Sequence, residues 1–433
     1  MKFQSIRLKD FRKFDNKEFS FDPQFNVLIG ENGSGKTTIL EALSVAINSY
    51  ISVIEGRNVR PIRKEDIRRI SFEYSIETKL ETAVSVKAIL ENQRDWVWTV
   101  GRPYKDWGFM RSDDKPIKAI AKEYMAILSS DGGKEIILPL FNYLGSGRLW
   151  TESTERVKIF PKGSRLEGYH HCLSSKGTFK RFAEWFKTME LSSLQGDEIS
   201  TGNSQVVKKA IANVVEQWDN IYYDVREDML MAEKADNAKI KKLPFSYLSD
   251  GLRNIIGIVA DIAYRCILLN PYLGHEATMS TPGVVLIDEL DLHLHPNWQK
   301  TIVPKLKDTF PKIQFITTTH SPFIVQALKN EELVDMDGKD LAGDYYKRSI
   351  EDIAEAEMHV NNPQRSNKFL KMEEVAKKYY DLISSGKNST DPEQVKKIKE
   401  QLDQLLLPFY DDPAYVAFLQ SFKPQLDASS RKG

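Results

Sequence analysis

Gly30-Glu31-Asn32-Gly33-Ser34-Gly35-Lys36-Thr37-Thr38 is the stretch of this 433-residue chain that decides its fold. Its Gly-x4-Gly-Lys-Thr spacing is that of a phosphate-binding loop, and it lies between an apolar run typical of a buried strand and a run with helical spacing. Glycines let backbone N–H groups turn toward phosphates, and the N-terminus of the helix adds a favourable dipole. The sequence therefore predicts that this loop binds ATP, with Lys36 on the β- and γ-phosphates and Thr37 on Mg²⁺.

A second motif, Val284-Val285-Leu286-Ile287-Asp288-Glu289, is an apolar strand that ends in two carboxylates. A buried parallel strand delivers the residues that follow it to the carboxyl edge of its sheet, where ligands bind. We expect Asp288 to join Thr37 at the Mg²⁺ ion, and Glu289 to polarise the water that attacks the γ-phosphate. Acidic residues often follow strands, so this motif is informative only together with the loop at residues 30–38.

A third motif, Leu248-Ser249-Asp250-Gly251-Leu252-Arg253, precedes a run of apolar residues with helical spacing. Taken alone, it predicts a serine N-cap followed by a turn glycine. A fourth motif, Thr317-Thr318-Thr319-His320-Ser321-Pro322, stands at the end of the apolar strand that follows Glu289.

Leu290-Asp291-Leu292-His293-Leu294-His295-Pro296 lies between the second and fourth motifs. Its two histidines, with His320 and Asp291, raise the alternative of a metal centre, because histidine and aspartate are common ligands of transition metals. We regard this as the weaker interpretation, since their placement already has an explanation in the resemblance described next.

In this order the motifs resemble those of ABC-type ATPases, whose signature is typically LSGGQ where this chain has LSDGLR. The run from Glu289 to Pro296, with its HLHP sequence in the D-loop position, is similar to the RecF, Rad50 and OLD type. The resemblance implies an α/β fold, an ABC-ATPase-like P-loop nucleotide-binding domain, in which two copies enclose the nucleotides. Ser249, Asp250 and Gly251 would contact the γ-phosphate held by the other copy. His320 would sense the γ-phosphate and join Glu289 and Lys36 as a catalytic residue.

The middle of the chain narrows this resemblance. Rad50 and SMC proteins insert long heptad coiled coils, which this chain lacks, and OLD nucleases have a further catalytic domain whose DxD motif Asp335-Met336-Asp337 matches only superficially. We interpret Asp337-Gly338 as a hairpin turn. Four segments instead resemble the AAA-type ATPases of Septu antiphage systems, also found beside some retrons: LPLFNYLGSGRLW at 138–150, GYHHCL at 168–173, FAEWF at 182–186 and DDPAY at 411–415.

That narrower resemblance implies partners. In the Septu family the ATPase oligomerises and works with a separate HNH endonuclease, PtuB. We expect no nuclease activity in this chain itself, because His359-Val360-Asn361-Asn362 is without the second histidine of an HNH site. A nucleotide-gated scaffold with little turnover and a RecF-like repair ATPase remain alternatives that use the same residues.

The two halves of the predicted nucleotide site are far apart in sequence, which predicts a core split by an insertion. We expect residues 1–49 and 246–340 to form the ATPase core and residues 50–245 an α+β insertion of antiparallel strands followed by helices. We expect residues 341–433 to form a helical region available to dock a partner.

One feature of the ABC-type pattern is missing. We find no clear counterpart of the Q-loop glutamine, and the segment at 138–150 occupies roughly its position. Either Asn142 or Arg148 could serve in its place.

Composition limits the classes of partner and compartment. Lys plus Arg and Asp plus Glu both total 61, so any DNA contact needs a local basic patch. Two cysteines, Cys172 and Cys266, are too few for a disulfide framework and predict a reducing, cytoplasmic location. No uncharged apolar stretch approaches the length of a membrane span, so we expect none.

A candidate DNA-binding patch follows the P-loop helix in the sequence. Its basic residues are Arg57, Arg60, Arg63, Lys64, Arg68 and Arg69. Phosphate contacts dominate the affinity of proteins for DNA, so such a patch would suit a DNA groove. Because Glu65 and Asp66 interrupt it, a solvated helix face is an equal alternative.

Overall fold

The computed structural model describes residues 1–54, 60–89, 94–103, 112–130, 135–149, 164–174, 179–215, 218, 220–236, 239–336, 345–358, 360, 362–384 and 392–406. The chain divides into two compact units, Met1–His359 and Val360–Gly433.

The strands of the first unit are β1 (Lys2–Phe11), β2 (Phe14–Ser20), β3 (Phe25–Ile29), β4 (Arg69–Ser71), β5 (Ile76–Thr78), β6 (Glu81–Ile89), β7 (Asp95–Pro103), β8 (Leu140–Leu144), β9 (Asn220–Asp224), β10 (Met229–Asp236), β11 (Lys239–Pro244), β12 (Gly283–Ile287), β13 (Ile313–Thr318) and β14 (Leu333–Asp335). Its α-helices are α1 (Lys36–Ile54), α2 (Lys115–Leu128), α3 (Phe179–Leu194), α4 (Glu198–Val214), α5 (Asp250–Leu269), α6 (Ala277–Ser280), α7 (Pro296–Thr309), α8 (Pro322–Gln326) and α9 (Ile350–Ala356).

A five-stranded parallel sheet forms the centre of the first unit, in the order β14-β3-β13-β12-β8. Every residue of β3, β12, β13 and β8 is buried. Strands covered on both faces are expected to be continuously apolar, which explains the short Val- and Ile-rich runs in the sequence. The carboxyl ends of β3, β12 and β13 therefore meet at one edge of this sheet.

An antiparallel sheet in the order β2-β1-β6-β7 packs beside the central sheet. Helix α1 contacts strands of both sheets, and the indole Nε1 of Trp98 donates to the carbonyl oxygen of Ala46 on that helix at 3.1 Å. The buried side chain of Gln314 on β13 also links the sheets, since it accepts from the backbone N of Phe3 at 2.7 Å and donates to the Phe3 carbonyl at 2.8 Å.

Helix α5 is the second buried helix of the first unit. It contacts β8 and the helices α3 and α4, and only a few of its residues are not buried. A three-stranded antiparallel sheet, β11-β10-β9, precedes it in the chain. The apolar spacing that predicted a helix after Ser249 is therefore confirmed.

Helix α1 is long and apolar enough to meet a test for membrane spans by length and composition. Of its apolar window, 72% is buried inside the protein. A core helix of an α/β domain meets that test for the same reason that a membrane helix does, because both are apolar around most of their circumference.

The sheets cross the segment boundaries expected from the sequence. β8, from the range 50–245, pairs in parallel with β12 of the core, and β6 and β7 extend the sheet that β1 begins. Among the antiparallel strands expected in the range 50–245, β4 and β5 form a two-stranded sheet of their own. Alternation along one segment predicts a strand but not its pairing partner, which here is distant in the sequence.

The second unit contains α10 (Asn367–Ser384) and α11 (Pro392–Leu406), which pack on each other around Met372, Val375, Ala376, Leu402 and Leu406. Helices α10 and α11 lie within the range 341–433 that the sequence predicts to be helical. The boundary between the units lies at residue 359, whereas the sequence placed it at 340. The segments 150–163, 337–344 and 407–433 lie outside the described residues, so the predicted turn at Asp337-Gly338 and the segment 411–415 do as well.

Candidate nucleotide site

The loop between β3 and α1 has the backbone that a phosphate-binding loop requires. Gly33 and Gly35 have φ angles of 81° and 102°, in the left-handed region that favours glycine. A Cβ at Gly35 would also lie 2.7 Å from the ring of Phe14. The glycines of this motif therefore meet both a conformational and a steric demand.

Lys36 is the first residue of α1 and is buried. Its Nζ donates to the carbonyl oxygens of Gly30 at 2.8 Å and Glu31 at 3.1 Å, so the ammonium group folds back over the loop. Nearby, Lys13 donates from Nζ to the carbonyl of Gly33 at 2.7 Å. Two cations thus lie against the loop that the sequence assigns to phosphates.

Thr37 and Asp288 meet at the carboxyl edge of the central sheet. The Thr37 hydroxyl donates to both carboxylate oxygens of Asp288, at 3.1 Å each, across a separation of 251 residues. Asp288 is 4% exposed. This contact brings together the two residues that the sequence assigns to Mg²⁺.

Thr318, the last residue of β13, is a further part of this edge. Its hydroxyl donates to Oδ1 of Asp288 at 2.7 Å and accepts from the backbone N of Glu289 at 2.7 Å. A buried carboxylate needs such donors, because an unpaired buried charge is costly. Thr318 therefore fixes both acidic residues of the second motif.

Glu289 has a φ of 52°, which is uncommon for a residue with a Cβ. Its backbone is bonded on both sides: the N donates to Thr318, and the carbonyl accepts from Nη2 of Arg148 at 2.9 Å. The side chain is half-buried. The backbone thus leaves the extended conformation of β12 at Glu289, two residues after the strand ends.

Arg148 lies behind these two acids and is 8% exposed. Its Nη1 donates to the carbonyl of Asp288 at 2.6 Å, and its Nε donates to Oδ1 of Asn254 on α5 at 2.6 Å. Burial lowers the pKa of Arg148 to about 10, although the carboxylates of Asp288, Glu289 and Asp291 act in the opposite direction. Arg148 therefore stays charged at neutral pH.

The other Q-loop candidate, Asn142, lies elsewhere. It is buried on β8, where its Nδ2 donates to Oδ2 of Asp261 on α5 at 2.6 Å. Of the two candidates, Arg148 is the one that contacts the acidic motif.

Asp291 in the D-loop connects to the strand end that bears His320. Its Oδ1 accepts from the hydroxyl of Thr319 at 2.6 Å and from the backbone N of His320 at 3.3 Å. His320 itself is exposed, beside the edge where Asp288 and Glu289 lie. His295 instead caps α7, since its side chain accepts from the backbone N of Asn297 at 3.3 Å.

The LSDGLR motif begins α5. Ser249 is exposed and is the N-cap of that helix, with its Oγ accepting from the backbone N of Leu252 at 3.5 Å. Asp250 forms an ion pair with Arg253. Gly251 is buried, and a Cβ there would lie 2.2 Å from the carbonyl oxygen of His293 in the D-loop. The serine N-cap is thus confirmed, whereas Gly251 lies inside the first turn of α5 and not in a separate turn. The Ser249 side chain is exposed to solvent.

Two models of known protein families match this chain. A family model described as an AAA domain matches residues 5–242, more than half of the chain, and a second AAA domain model matches residues 194–326. The chain belongs to the AAA domain family. The loop at residues 30–38 lies within the first match, and the acidic motif at residues 284–289 lies within the second.

Curated relatives of this AAA domain chain agree with the resemblance seen in the sequence. The Retron Vc95 probable ATPase of Vibrio cholerae serotype O1 biovar El Tor is 28% identical over 77% of this chain and 73% of the relative. Septu protein PtuA of Bacillus thuringiensis is 26% identical over 94% of both chains. The predicted resemblance to Septu and retron ATPases is therefore confirmed.

A solved structure is also similar. It is an Smc head bound to the C-terminal winged-helix domain of ScpA, with a TM-score of 0.46 and 16% identity over 77% of this chain and 94% of that one.

A transition-metal centre and an Mg²⁺ site need different protein ligands. Within the described ranges, no group of three or more His, Cys, Asp or Glu side chains is placed to hold a metal ion. Mg²⁺ is held by few protein ligands, since it keeps several waters and binds substrate phosphates. The hydroxyl of Thr37 and the carboxylate of Asp288 are hard oxygen ligands and fit that ion.

The basic cluster after α1 is partly committed to other contacts. Arg60 is buried and pairs with Asp66 at 3.4 Å and Glu41 at 3.3 Å. Arg68 pairs with Asp15 at 3.0 Å. Arg63, Lys64 and Arg69 are exposed, and Arg57 lies outside the described residues. Ion pairing therefore reduces the positive charge that this segment offers to a DNA backbone.

Three contributors to the site were missed or only suspected from the sequence. Thr318 was quoted within its motif but given no role, Arg148 was one of two candidates, and Asn254 was not considered. Thr318 could have been found from the sequence, because a hydroxyl side chain at the end of the strand next to the acidic strand is expected to lie at the same edge of the sheet. No local pattern identifies Asn254, because its partners lie on other elements.

Proposed function

We propose that this chain hydrolyses ATP with Mg²⁺, closes as a dimer around the nucleotide, and thereby regulates a partner HNH endonuclease in antiphage defence. The observation that supports this most strongly is the meeting of Thr37 and Asp288, because it joins the P-loop to the acidic strand at one point. The named relatives, a retron probable ATPase and a Septu protein, agree with the proposal.

Thr37 and Asp288 would hold Mg²⁺, and Lys36 would bind the β- and γ-phosphates with the backbone of residues 30–38. The ion neutralises charge that develops on the phosphates during transfer. Glu289 would then orient and polarise the attacking water, a task for which its fixed backbone is suited. His320 would contact the γ-phosphate from the end of β13.

Ser249, Asp250 and Gly251 would act on the nucleotide of a second copy. The exposure of Ser249 at the N-terminus of α5 supports this role, because a helix N-terminus favours an anion and the serine side chain is accessible. Closing two copies around ATP would convert the bound γ-phosphate into a change of shape.

The partner assignment depends on the Septu resemblance. Residues 341–433, which include α10 and α11, would be available to dock the HNH endonuclease. Co-expression with the HNH endonuclease gene that neighbours this one should give a complex that survives affinity and size-exclusion chromatography. If no such gene is present, or the two proteins separate, the partner assignment is wrong while the ATPase assignment stands.

The ATPase assignment is tested by comparing Glu289→Gln with Lys36→Ala and with Glu276→Gln, an exposed control. Glu289→Gln should bind ATP as the wild type does, accumulate dimers with ATP, and release phosphate at least about 100-fold more slowly. Lys36→Ala should lose ATP binding, and Glu276→Gln should match the wild type. Loss of ATP binding in Glu289→Gln would contradict the role given to this residue.

A nucleotide-gated scaffold is the second candidate function. It uses the same residues, but the wild type would then show negligible steady-state phosphate release. Phage protection would also persist in Glu289→Gln cells. Phosphate release by the wild type, together with loss of protection in that variant, would exclude the scaffold.

A further inference from the structure

Arg148 has an unusual place for an arginine. It stands on a short turn after β8, within the first unit, and is almost fully buried. Burying a guanidinium requires that its donors be satisfied. Its partners are mostly main-chain carbonyls. Arg148 therefore holds main-chain segments together and is not paired mainly with one carboxylate.

The donors of Arg148 reach three separate segments of the chain. Nη1 donates to the carbonyls of Gly145 at 3.1 Å and Asp288 at 2.6 Å, and Nη2 to that of Glu289 at 2.9 Å. Nε donates to Oδ1 of Asn254 at 2.6 Å. A planar fork with fixed donor directions can satisfy acceptors on several segments, which a lysine cannot do.

Glu289 needs such support. Its φ of 52° is unfavourable for a residue with a Cβ, and such a backbone persists only where its surroundings determine it. Thr318 accepts the N–H of Glu289, and the Glu289 carbonyl accepts from Nη2 of Arg148 at 2.9 Å and from the backbone N of Leu292 at 3.1 Å. The direction of the Glu289 side chain therefore depends on these bonds.

Asn254 extends the contact of Arg148 to the signature helix. Its Nδ2 donates to the carbonyl of Leu292 in the D-loop at 2.7 Å, while its Oδ1 accepts from Arg148. Asn254 lies on α5 one turn after Gly251, and it is buried. Arg148 is thus hydrogen-bonded to the acidic motif directly and to the D-loop through one side chain of α5.

We propose that Arg148 is a positioning residue, which holds Glu289 in its hydrolytic orientation and links it to the signature helix through Asn254. It acts on the main chain of Glu289 and not on the nucleotide, since four of its hydrogen bonds go to protein oxygens. The inference rests on the proposed ATPase function and names the residue that takes the place of the missing Q-loop glutamine.

The test is kinetic and uses Arg148→Met and Arg148→Lys. Both variants should bind ATP with the wild-type dissociation constant and should lose about 10- to 100-fold in kcat, because a misplaced general base fails in the chemical step and not in binding. Lysine should rescue little, since it keeps the charge but not the fork. If the methionine variant does not fold, the lysine variant still decides the matter.

Arg165 provides a matched control. It also belongs to a short 3-10 segment and donates to main chain, with Nε on the Leu269 carbonyl at 2.6 Å, and from Nη2 to Oδ1 of Asn270 at 3.2 Å. None of these acceptors belongs to the nucleotide motifs. Arg165→Met should therefore cost stability without a selective loss of kcat.

The double variant Arg148→Met/Glu289→Gln distinguishes an effect of Arg148 that acts through Glu289 from an independent effect of Arg148 on turnover. If Arg148 acts through Glu289, this variant turns over no more slowly than Glu289→Gln alone, because residues that act as a unit are not additive. If the kcat losses of the two single variants multiply in the double variant, the proposal is overturned. An unchanged kcat in both Arg148 variants would overturn it as well, as would equal losses of affinity and kcat that match Arg165→Met. A wild type without phosphate release would instead refute the ATPase function itself.

Discussion

Gly251 and His293 are in backbone contact: a Cβ added to Gly251 would lie 2.2 Å from the His293 carbonyl oxygen. The start of α5 therefore packs directly on the D-loop. Because these backbones are in close contact, a displacement of the D-loop would displace the start of α5 as well, where, in the proposed dimer, Ser249 would meet the nucleotide of a second copy.

Gly251→Ala tests that contact, with Gly257→Ala in the same helix as its control. The added methyl group must push α5 or the D-loop aside, and overpacking of this kind costs about 1–3 kcal/mol. At Gly257 the nearest atom to an added Cβ is 3.6 Å away, an ordinary contact. We expect Gly251→Ala to lower both the urea midpoint of unfolding and ATP-dependent dimerisation, and Gly257→Ala to lower neither. Equal behaviour of the two variants would show that the close contact has no consequence.

Thr318→Val removes a hydroxyl that is hydrogen-bonded to both Asp288 and Glu289. Thr317→Val, at the preceding residue of β13, is its control. Valine keeps the shape but leaves the Glu289 N–H without its acceptor, which costs about 1–3 kcal/mol if that group stays buried. The Thr317 hydroxyl only donates to the Asn26 carbonyl, at 3.3 Å. We expect a fall in kcat of about 10-fold or more for Thr318→Val, measured by phosphate release. A Thr317→Val variant that lost as much activity would contradict the role of Thr318.

The sequence predicted the parts of the site that are local motifs. The loop at residues 30–38, the acids after β12 and the serine cap of α5 each depend on neighbours within a few residues, and all of them form the elements expected. Thr37 and Asp288 could be paired in advance because parallel strands end at one edge.

Other parts could not be predicted because they depend on pairing across long separations. β8 joins the central sheet beside β12, and this places Arg148 behind the acids. Nothing in residues 138–150 indicates which strand they accompany. For the same reason, the range 50–245 was expected to be a separate insertion, although β6 and β7 complete the sheet of β1.

Asp66 is the centre of a buried charge cluster, and its removal should destabilise the protein in a pH-dependent way. Its carboxylate accepts from Nε of Arg12 at 2.9 Å and from the backbone N of Arg63 at 2.8 Å, and pairs with Arg60. Burial alone would raise the pKa of Asp66, but the backbone hydrogen bond and the two guanidiniums outweigh it and lower the pKa below its usual 3.8.

A lowered pKa in the folded state means that the charged Asp66 stabilises the fold above about pH 4 and that this contribution is lost as the pH falls through the folded pKa. Asp66→Asn should therefore lower the free energy of unfolding by about 3 kcal/mol at pH 7, and by progressively less below pH 4. Glu65→Gln breaks only an exposed pair with Arg63 at 3.9 Å, and should cost about 0.5 kcal/mol or less. Urea titrations at several pH values measure both. A deficit for Asp66→Asn that grows toward acid would contradict the assigned shift.

Thr37→Val tests the Mg²⁺ site, with Ser52→Ala as its control near the C-terminal end of α1, where the Ser52 hydroxyl donates to the Ser49 carbonyl at 3.1 Å. The Thr37 hydroxyl is the P-loop group that touches Asp288, so valine should remove one ligand of the ion and leave the carboxylate with one donor fewer. Losing a single oxygen ligand should weaken the binding of Mg²⁺ more than the binding of the nucleotide, because Lys36 and the loop backbone still bind phosphate. We expect the Mg²⁺ concentration for half-maximal phosphate release to rise about 10-fold or more in Thr37→Val, while ATP binding without Mg²⁺ stays unchanged. Ser52→Ala should titrate as the wild type does, and a parallel shift in both variants would mean that the substitutions disturb the helix and not the ion.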